Sequence, residues 1–308
     1  MKTIPGGAYP AMITPFTLDG AIDYPAVARL MKWYEDRNCA GVLALCASSE
    51  TEKLTLEERV ELAKFIVEHK GKMTIVVSGH NGDSMEEQIE EMNAMAKTGA
   101  DALCFITCRI NKHAGNDEDR FIELLDQLVD GIEDKEIPLG FYEKPDQYNI
   151  NMTPKMLKHC TESGRYVFLK ETSCRSDAIK VKIDAVRGTN FGIYNANSTL
   201  LYQSLKDGAA GFCGIMGNVH PDLYQWLCDN WAKYPEMAEY VSDFIGSTGE
   251  ICNQYPAIVK YHISQTGAEM THYTRRAGLE KLSEQNTYRM HQCERLTNKL
   301  RAELKNLK

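Results

Sequence analysis

Val167-Phe-Leu-Lys-Glu-Thr-Ser173 sets three apolar residues directly before a lysine. A run this short, apolar and closed by charge predicts a buried strand. Alternation along a strand puts Phe168, Lys170 and Thr172 on one face and Leu169 and Glu171 on the other. If the first set faces inward, Lys170 is held inside the protein at the strand's C-terminal end. The competing reading is a lysine that snorkels to solvent as the strand clears the core.

Seven further runs have the same character, at 11–15, 41–46, 73–78, 102–106, 138–142, 191–195 and 211–215. Helix signatures separate them. Thr55-Leu-Glu-Glu58 is a capping box, followed by a stripe of Leu56, Val60, Ala63 and Val67. Ser84-Met-Glu-Glu87 repeats the device, with Met85, Ile89, Met92 and Ala96 behind it and Gly99 as the expected C-cap. Eight β-then-α units predict an α/β fold with a parallel sheet closed into a (β/α)8 TIM barrel. The first βα turn lacks the G-x-G-x-x-G of an open dinucleotide-binding sheet. After about Pro221 the strand signals stop. The expected division is a catalytic barrel over 1–225 and a helical appendage over 226–308, ending in a helix with Cys293, Leu296 and Leu300 on one face.

With 308 residues, 43% hydrophobic and 25% charged, the chain has the composition of a soluble globular protein. A formal charge of −8 without a basic cluster argues against nucleic acid or an anionic membrane as partner. No apolar run reaches the roughly 18 residues of a membrane span, and the N-terminus carries no signal-peptide pattern. Ten cysteines include no C-x-x-C pair, and Cys46, Cys104 and Cys213 lie inside apolar runs. They read as reduced core thiols of a cytoplasmic protein, not as a metal site.

The strand before Lys170 is Pro138-Leu-Gly-Phe-Tyr142, and alternation turns Gly140 and Tyr142 to the same interior. Active sites of this architecture lie at the C-terminal ends of the strands. A buried amine loses its charge more easily than a solvated one, and the neutral form attacks carbonyls. The resulting imine is an electron sink for an adjacent carbon–carbon bond, and a neighbouring phenol can shuttle protons.

Further matches carry a family resemblance. Ala11-Met-Ile-Thr-Pro-Phe16, Cys46-Ala-Ser-Ser-Glu50 with Leu54-Thr-Leu-Glu-Glu-Arg59, Phe141-Tyr142 with Pro145, Leu169-Lys-Glu-Thr172, Gly208-Ala-Ala-Gly211 with Asn218-Val-His-Pro221, and Pro256-Ala-Ile-Val-Lys260 occur in order along the chain. The sequence resembles the dihydrodipicolinate synthase and N-acetylneuraminate lyase family of Schiff-base aldolases. The resemblance implies that Lys170 forms an imine with a 2-oxo acid such as pyruvate and that Tyr142 relays protons. It implies that Ala47, Ser48 and Ser49 form the carboxylate loop, with Ser48 as its hydroxyl donor, and that Gly214 and Ile215 face substrate. It further implies no cofactor, no metal and a homotetramer or dimer.

Several positions depart from the family. The first loop hydroxyl is replaced by Ala47, and Ser49 stands where a glycine is usual. The relay tyrosine supplied by a neighbouring subunit falls near Arg109-Ile110, and the basic residue for the second substrate's carboxylate falls near Gln147. Glu143 replaces the asparagine after the tyrosine, and Ala196, Ser198 and Thr199 occupy the loop that lyases use for sugar hydroxyls. These departures predict a pyruvate half that is kept and a second-substrate half that is rebuilt. The expected function is an aldolase or lyase on a 2-oxo acid with an unidentified second substrate, distinct from true dihydrodipicolinate synthase. The alternatives are a keto-deoxy sugar acid dehydratase or a non-catalytic 2-oxo acid-binding homologue.

Overall fold

A computed structural model describes residues 3–249, 251–276 and 281–307. Eight strands form one parallel sheet: β1 Gly7–Ala8, β2 Gly41–Ala44, β3 Thr74–Val77, β4 Ala102–Ile106, β5 Leu139–Tyr142, β6 Tyr166–Glu171, β7 Gly192–Asn195 and β8 Gly211–Phe212. The order β1-β8-β7-β6-β5-β4-β3-β2 winds once around. An Ala11–Leu43 bridge closes the ring, where the Leu43 N–H donates to Pro10 O and the Met12 N–H to Leu43 O. This is the expected (β/α)8 barrel.

Helices alternate with the strands: α1 Tyr24–Glu35, α2 Leu56–Glu68, α3 Met85–Ala96, α4 Thr107–Ala114, α5 Glu118–Asp130, α6 Pro154–Ser163, α7 Ser176–Val186 and α8 Leu201–Asp207. The chain then continues as α9 Pro221–Asn230, α10 Pro235–Ser247, α11 Ala257–Gln265 and α12 Glu284–Lys305. No helix among the described residues is long and apolar enough to cross a membrane. All ten cysteines are unpaired.

Both predicted capping boxes form, at Thr55/Glu58 and Ser84/Glu87. The stripes behind them are displaced. On α2 the buried residues are Arg59, Leu62, Ala63 and Ile66, while Leu56, Val60 and Val67 are half-buried. On α3 they are Gln88, Glu91, Met92 and Met95, and Lys97 caps the helix two residues before Gly99. Polar residues enter these faces in pairs: Arg59 Nη2 lies 2.6 Å from Glu91 Oε1. On α12, Met290, Cys293, Thr297 and Leu300 are buried, and Leu296 is exposed instead of joining them.

The first strand lies earlier than the run at 11–15. Its ladder to β8 runs from Gly7 through Tyr9 N–H to Phe212 O and Ala11 N–H to Gly214 O, and Pro10 interrupts the strand. β8 likewise ends at Phe212, because the chain turns into a 3₁₀ helix over Ile215–Asn218.

Two apolar layers hold the fold. Leu103, Phe105, Leu139, Phe141 and Leu169 face the helices. Tyr9, Leu43, Val76, Cys104, Tyr142, Phe168, Tyr194 and Cys213 fill the interior. Tyr9, Phe168 and Tyr194 form an aromatic floor, with ring centroids 4.5 to 5.7 Å apart. The Tyr9 and Tyr194 hydroxyls each donate to Pro5 O at 2.9 Å, which seals the floor from below.

Candidate active site

Lys170 stands on that floor. β5 and β6 pair Tyr142 with Lys170 in register, and both side chains point into the barrel. Gly140 makes the level below possible, since a Cβ there would meet Phe168 O at 2.6 Å. The Lys170 Nζ lies 4.1 Å from the Tyr142 ring centroid, over its face. Lysine and tyrosine are 4% and 6% exposed, so the amine is withdrawn from water and does not snorkel.

Burial works against the Lys170 charge, but Tyr142, Cys213, Cys46 and Cys104 outweigh it, and the pKa stands above the ordinary lysine value, against the expectation of an easily neutralised amine. Burial itself keeps protons on three of these partners: it raises Tyr142, lifts Cys104 well above the thiol range and pushes Cys213 up to about 12. At neutral pH the ammonium therefore faces Tyr142, Cys104 and Cys213 in their protonated forms. Its support is the ring face of Tyr142, an interaction worth on the order of 2 kcal/mol when desolvated. Desolvation opposes it without prevailing, so the amine rests as the ammonium and must give up a proton before it can attack a carbonyl. The three thiols around the amine are a feature the sequence reading took for ordinary core packing.

The loop after β2 forms a 3₁₀ turn over Ala47–Ser49 and ends at Glu50 in the left-handed region, φ 57°. Ala47 is half-buried against the barrel interior, and Ser48 is buried beside Tyr255. Ser49 turns away: its hydroxyl donates to Met12 O at 2.6 Å, so it supplies no replacement for the hydroxyl absent at Ala47. Gly214 lies at the rim, where a Cβ would meet Ala196 O at 2.6 Å. Its carbonyl accepts from the Ala11 and Gly217 N–H groups. Ile215 exposes its side chain at the start of the following turn.

The departures also find places. Ile110 is buried in the helix layer, and Gln147 is exposed on the loop after β5. Ser198 is hydrogen-bonded to Tyr224 at 2.7 Å. Glu143 turns outward through the wall to Lys182. Lys144, two residues after Tyr142, pairs with Glu52 at 2.8 Å and Asp146 at 2.7 Å.

C-terminal residues complete the β2 loop. Lys260 Nζ lies 2.9 Å from Glu50 Oε1 in a fully buried pair, and burial draws its ammonium down to about 8 against the pull of Glu50. The Arg276 N–H donates to Glu50 Oε2, and its guanidinium bonds Ala47 O and Glu52. Arg275 forks onto Glu58 at 2.6 and 2.7 Å. These contacts join residues more than 200 positions apart, which no local pattern encodes.

Comparison with known proteins agrees with this geometry. The model of the dihydrodipicolinate synthetase family matches residues 5–293. The 4-hydroxy-tetrahydrodipicolinate synthase of Clostridium perfringens is 27% identical over 226 residues, 73% of this chain and 75% of that protein. That of Shewanella denitrificans is 24% identical over 91% of this chain and 94% of its own. Among solved structures, dihydrodipicolinate synthase from Acinetobacter baumannii, complexed with pyruvate, superposes with a TM-score of 0.83 at 22% identity, covering 96% of this chain and 99% of that one. A prophage protein of the same family from E. coli K12, also in complex with pyruvate, gives 0.80 at 21% identity over 96% and 98%.

Proposed function

Since the chain belongs to the dihydrodipicolinate synthetase family and is a lyase of the class I aldolase type, we propose that it makes or breaks a carbon–carbon bond of a 2-oxo acid through an imine on Lys170. The observation that carries this reading is the Lys170–Tyr142 pair, inward at one register and nearly closed to water. The pyruvate held by two structures of the same fold supports the substrate class.

Neutral Lys170 attacks the C2 carbonyl of the 2-oxo acid, and the carbon–oxygen double bond becomes a carbinolamine. Tyr142 passes a proton to the departing hydroxyl, water leaves and a protonated imine remains. That cation draws electrons from the adjacent carbon, so a bond there forms or breaks without a separate cofactor. Ser48 holds the carboxylate by a charge-assisted hydrogen bond. The second substrate differs from that of dihydrodipicolinate synthase, because Gln147 offers no cation for a carboxylate. Lys144 and Arg276, both anchored on Glu52, supply positive charge at the mouth from other directions.

Incubation with pyruvate and borohydride, followed by intact-mass measurement, tests the assignment. A reduced pyruvate adduct is expected in the wild-type chain and not in Lys170→Ala. An unchanged wild-type mass, or an adduct retained by the variant, overturns it.

A further inference from the structure

Tyr255 lies just before α11, where the chain returns over the mouth of the barrel. Its hydroxyl oxygen is sealed from solvent and makes no hydrogen bond of good geometry among the described residues. Leaving such a group without a partner is costly, and a fold that keeps one invites a ligand that completes it. The side chain with hydrogen-bonding reach to it is Ser48, and Cys46 and Tyr142 stand nearby. Of the three loop residues Ala47, Ser48 and Ser49, Ser48 alone offers a hydroxyl to this space, because Ser49 is committed to Met12 O. A carboxylate has two oxygens, and one serine hydroxyl leaves acceptor capacity unused.

We infer that Tyr255 is a substrate-binding residue whose phenol donates to the carboxylate of the 2-oxo acid beside Ser48. The inference rests on the imine reading above. Burial raises the Tyr255 pKa well above the ordinary phenol value, so the group keeps its proton and serves as a donor. Hydrogen bonds from neutral donors to ionised acceptors are the stronger kind, and Tyr255 meets the anion only when substrate is bound. Resting, it has Ser48 within reach but no hydrogen bond of good geometry among the described residues.

The test compares Tyr255→Phe with wild type, reading the pyruvate concentration that gives half-maximal borohydride trapping. Methyl pyruvate, which has the same reactive carbonyl and no carboxylate, is run in parallel. Loss of a donor to a charged group predicts a half-saturating pyruvate concentration about 10- to 100-fold higher, with trapping at saturation retained. With methyl pyruvate the shift stays below about threefold. An unchanged value for pyruvate, or an equal loss for acid and ester, overturns the inference while leaving the imine intact. Wild-type protein that traps no pyruvate overturns the imine reading and this inference together. Should Tyr255→Phe not fold, Tyr255→Asn also lacks the phenol and is judged by the same acid-against-ester comparison.

Discussion

Glu143 and Glu171 share one ammonium: Lys182 Nζ lies 2.7 and 2.6 Å from the two Glu143 oxygens and 2.8 Å from Glu171 Oε1. Both carboxylates are fully buried and the lysine is 3% exposed. One cation thus serves two acids in the barrel wall. Burial raises the Glu143 carboxyl, with Lys182 pulling the other way. Removing the cation strands both charges, so Lys182→Met is expected to cost about 3–5 kcal/mol. Adding Glu143→Asn should recover only part of that loss, because Glu171 stays buried without its partner. Denaturant unfolding of the single and double variants measures it, and equal losses in both would show that charge is not the cause.

Tyr142→Phe keeps the ring beneath Lys170 and removes the hydroxyl. Turnover on the protein's substrate is expected to fall by about 10²-fold or more, because imine formation and carbon–carbon cleavage both move protons. Stability should change little, since the mouth-facing hydroxyl can be replaced by water. Release of pyruvate from a panel of keto-deoxy sugar acids supplies the assay. Equal turnover in the two proteins would take the tyrosine out of the mechanism.

Condensation of pyruvate with aspartate semialdehyde should be weak. Ala47 has no hydroxyl, Ile110 is buried in the helix layer, and Gln147 cannot pair with a carboxylate. The expected efficiency lies below about 10⁴ M⁻¹s⁻¹, the lower end of ordinary enzyme values. A higher kcat/KM would mean that Lys144 or Arg276 replaces the missing cation.

His80 should make the fold acid-sensitive. Its Nδ1 accepts from the Ile106 N–H at 2.8 Å and its Nε2 meets Gln88 Oε1 at 2.9 Å, which fixes the neutral ring. Burial lowers its pKa from 6.5 to about 4. Below pH 6.5 the unfolded chain takes up a proton that the folded chain refuses, so stability falls as pH drops toward 4. By pH 5 the loss from this residue is about 2 kcal/mol. Thermal unfolding at pH 7 and pH 5 should show it, and His80→Gln should remove its share of the dependence while that of His220, which burial lowers to about 3, remains. An unchanged pH dependence in the variant would assign the effect elsewhere.

The parts legible in the sequence were those set by short periods. Two-residue alternation placed Phe168, Lys170, Gly140 and Tyr142 on the inner face, and capping boxes marked the starts of α2 and α3. The helix faces were less legible, because Arg59 and Glu91 are buried as partners on different helices and count as polar when each is read alone. The extra strand residues assigned after Pro10 failed for a local reason, a proline that cannot donate to the ladder. Tyr255 and Lys260 were out of reach: they meet the β2 loop only through the closed fold, and nothing near Ser48 in the chain points to them.

The Lys260–Glu50 pair spans 210 positions and orders synthesis of the molecule as well as its fold. A ribosome delivers the β2 loop early, with a carboxylate destined for a dry place and no cation yet made to accompany it. Tyr255, Lys260, Arg275 and Arg276 emerge only after all eight strands. Lys170 can thus reach the aromatic floor before the residues that brace the β2 loop have been made.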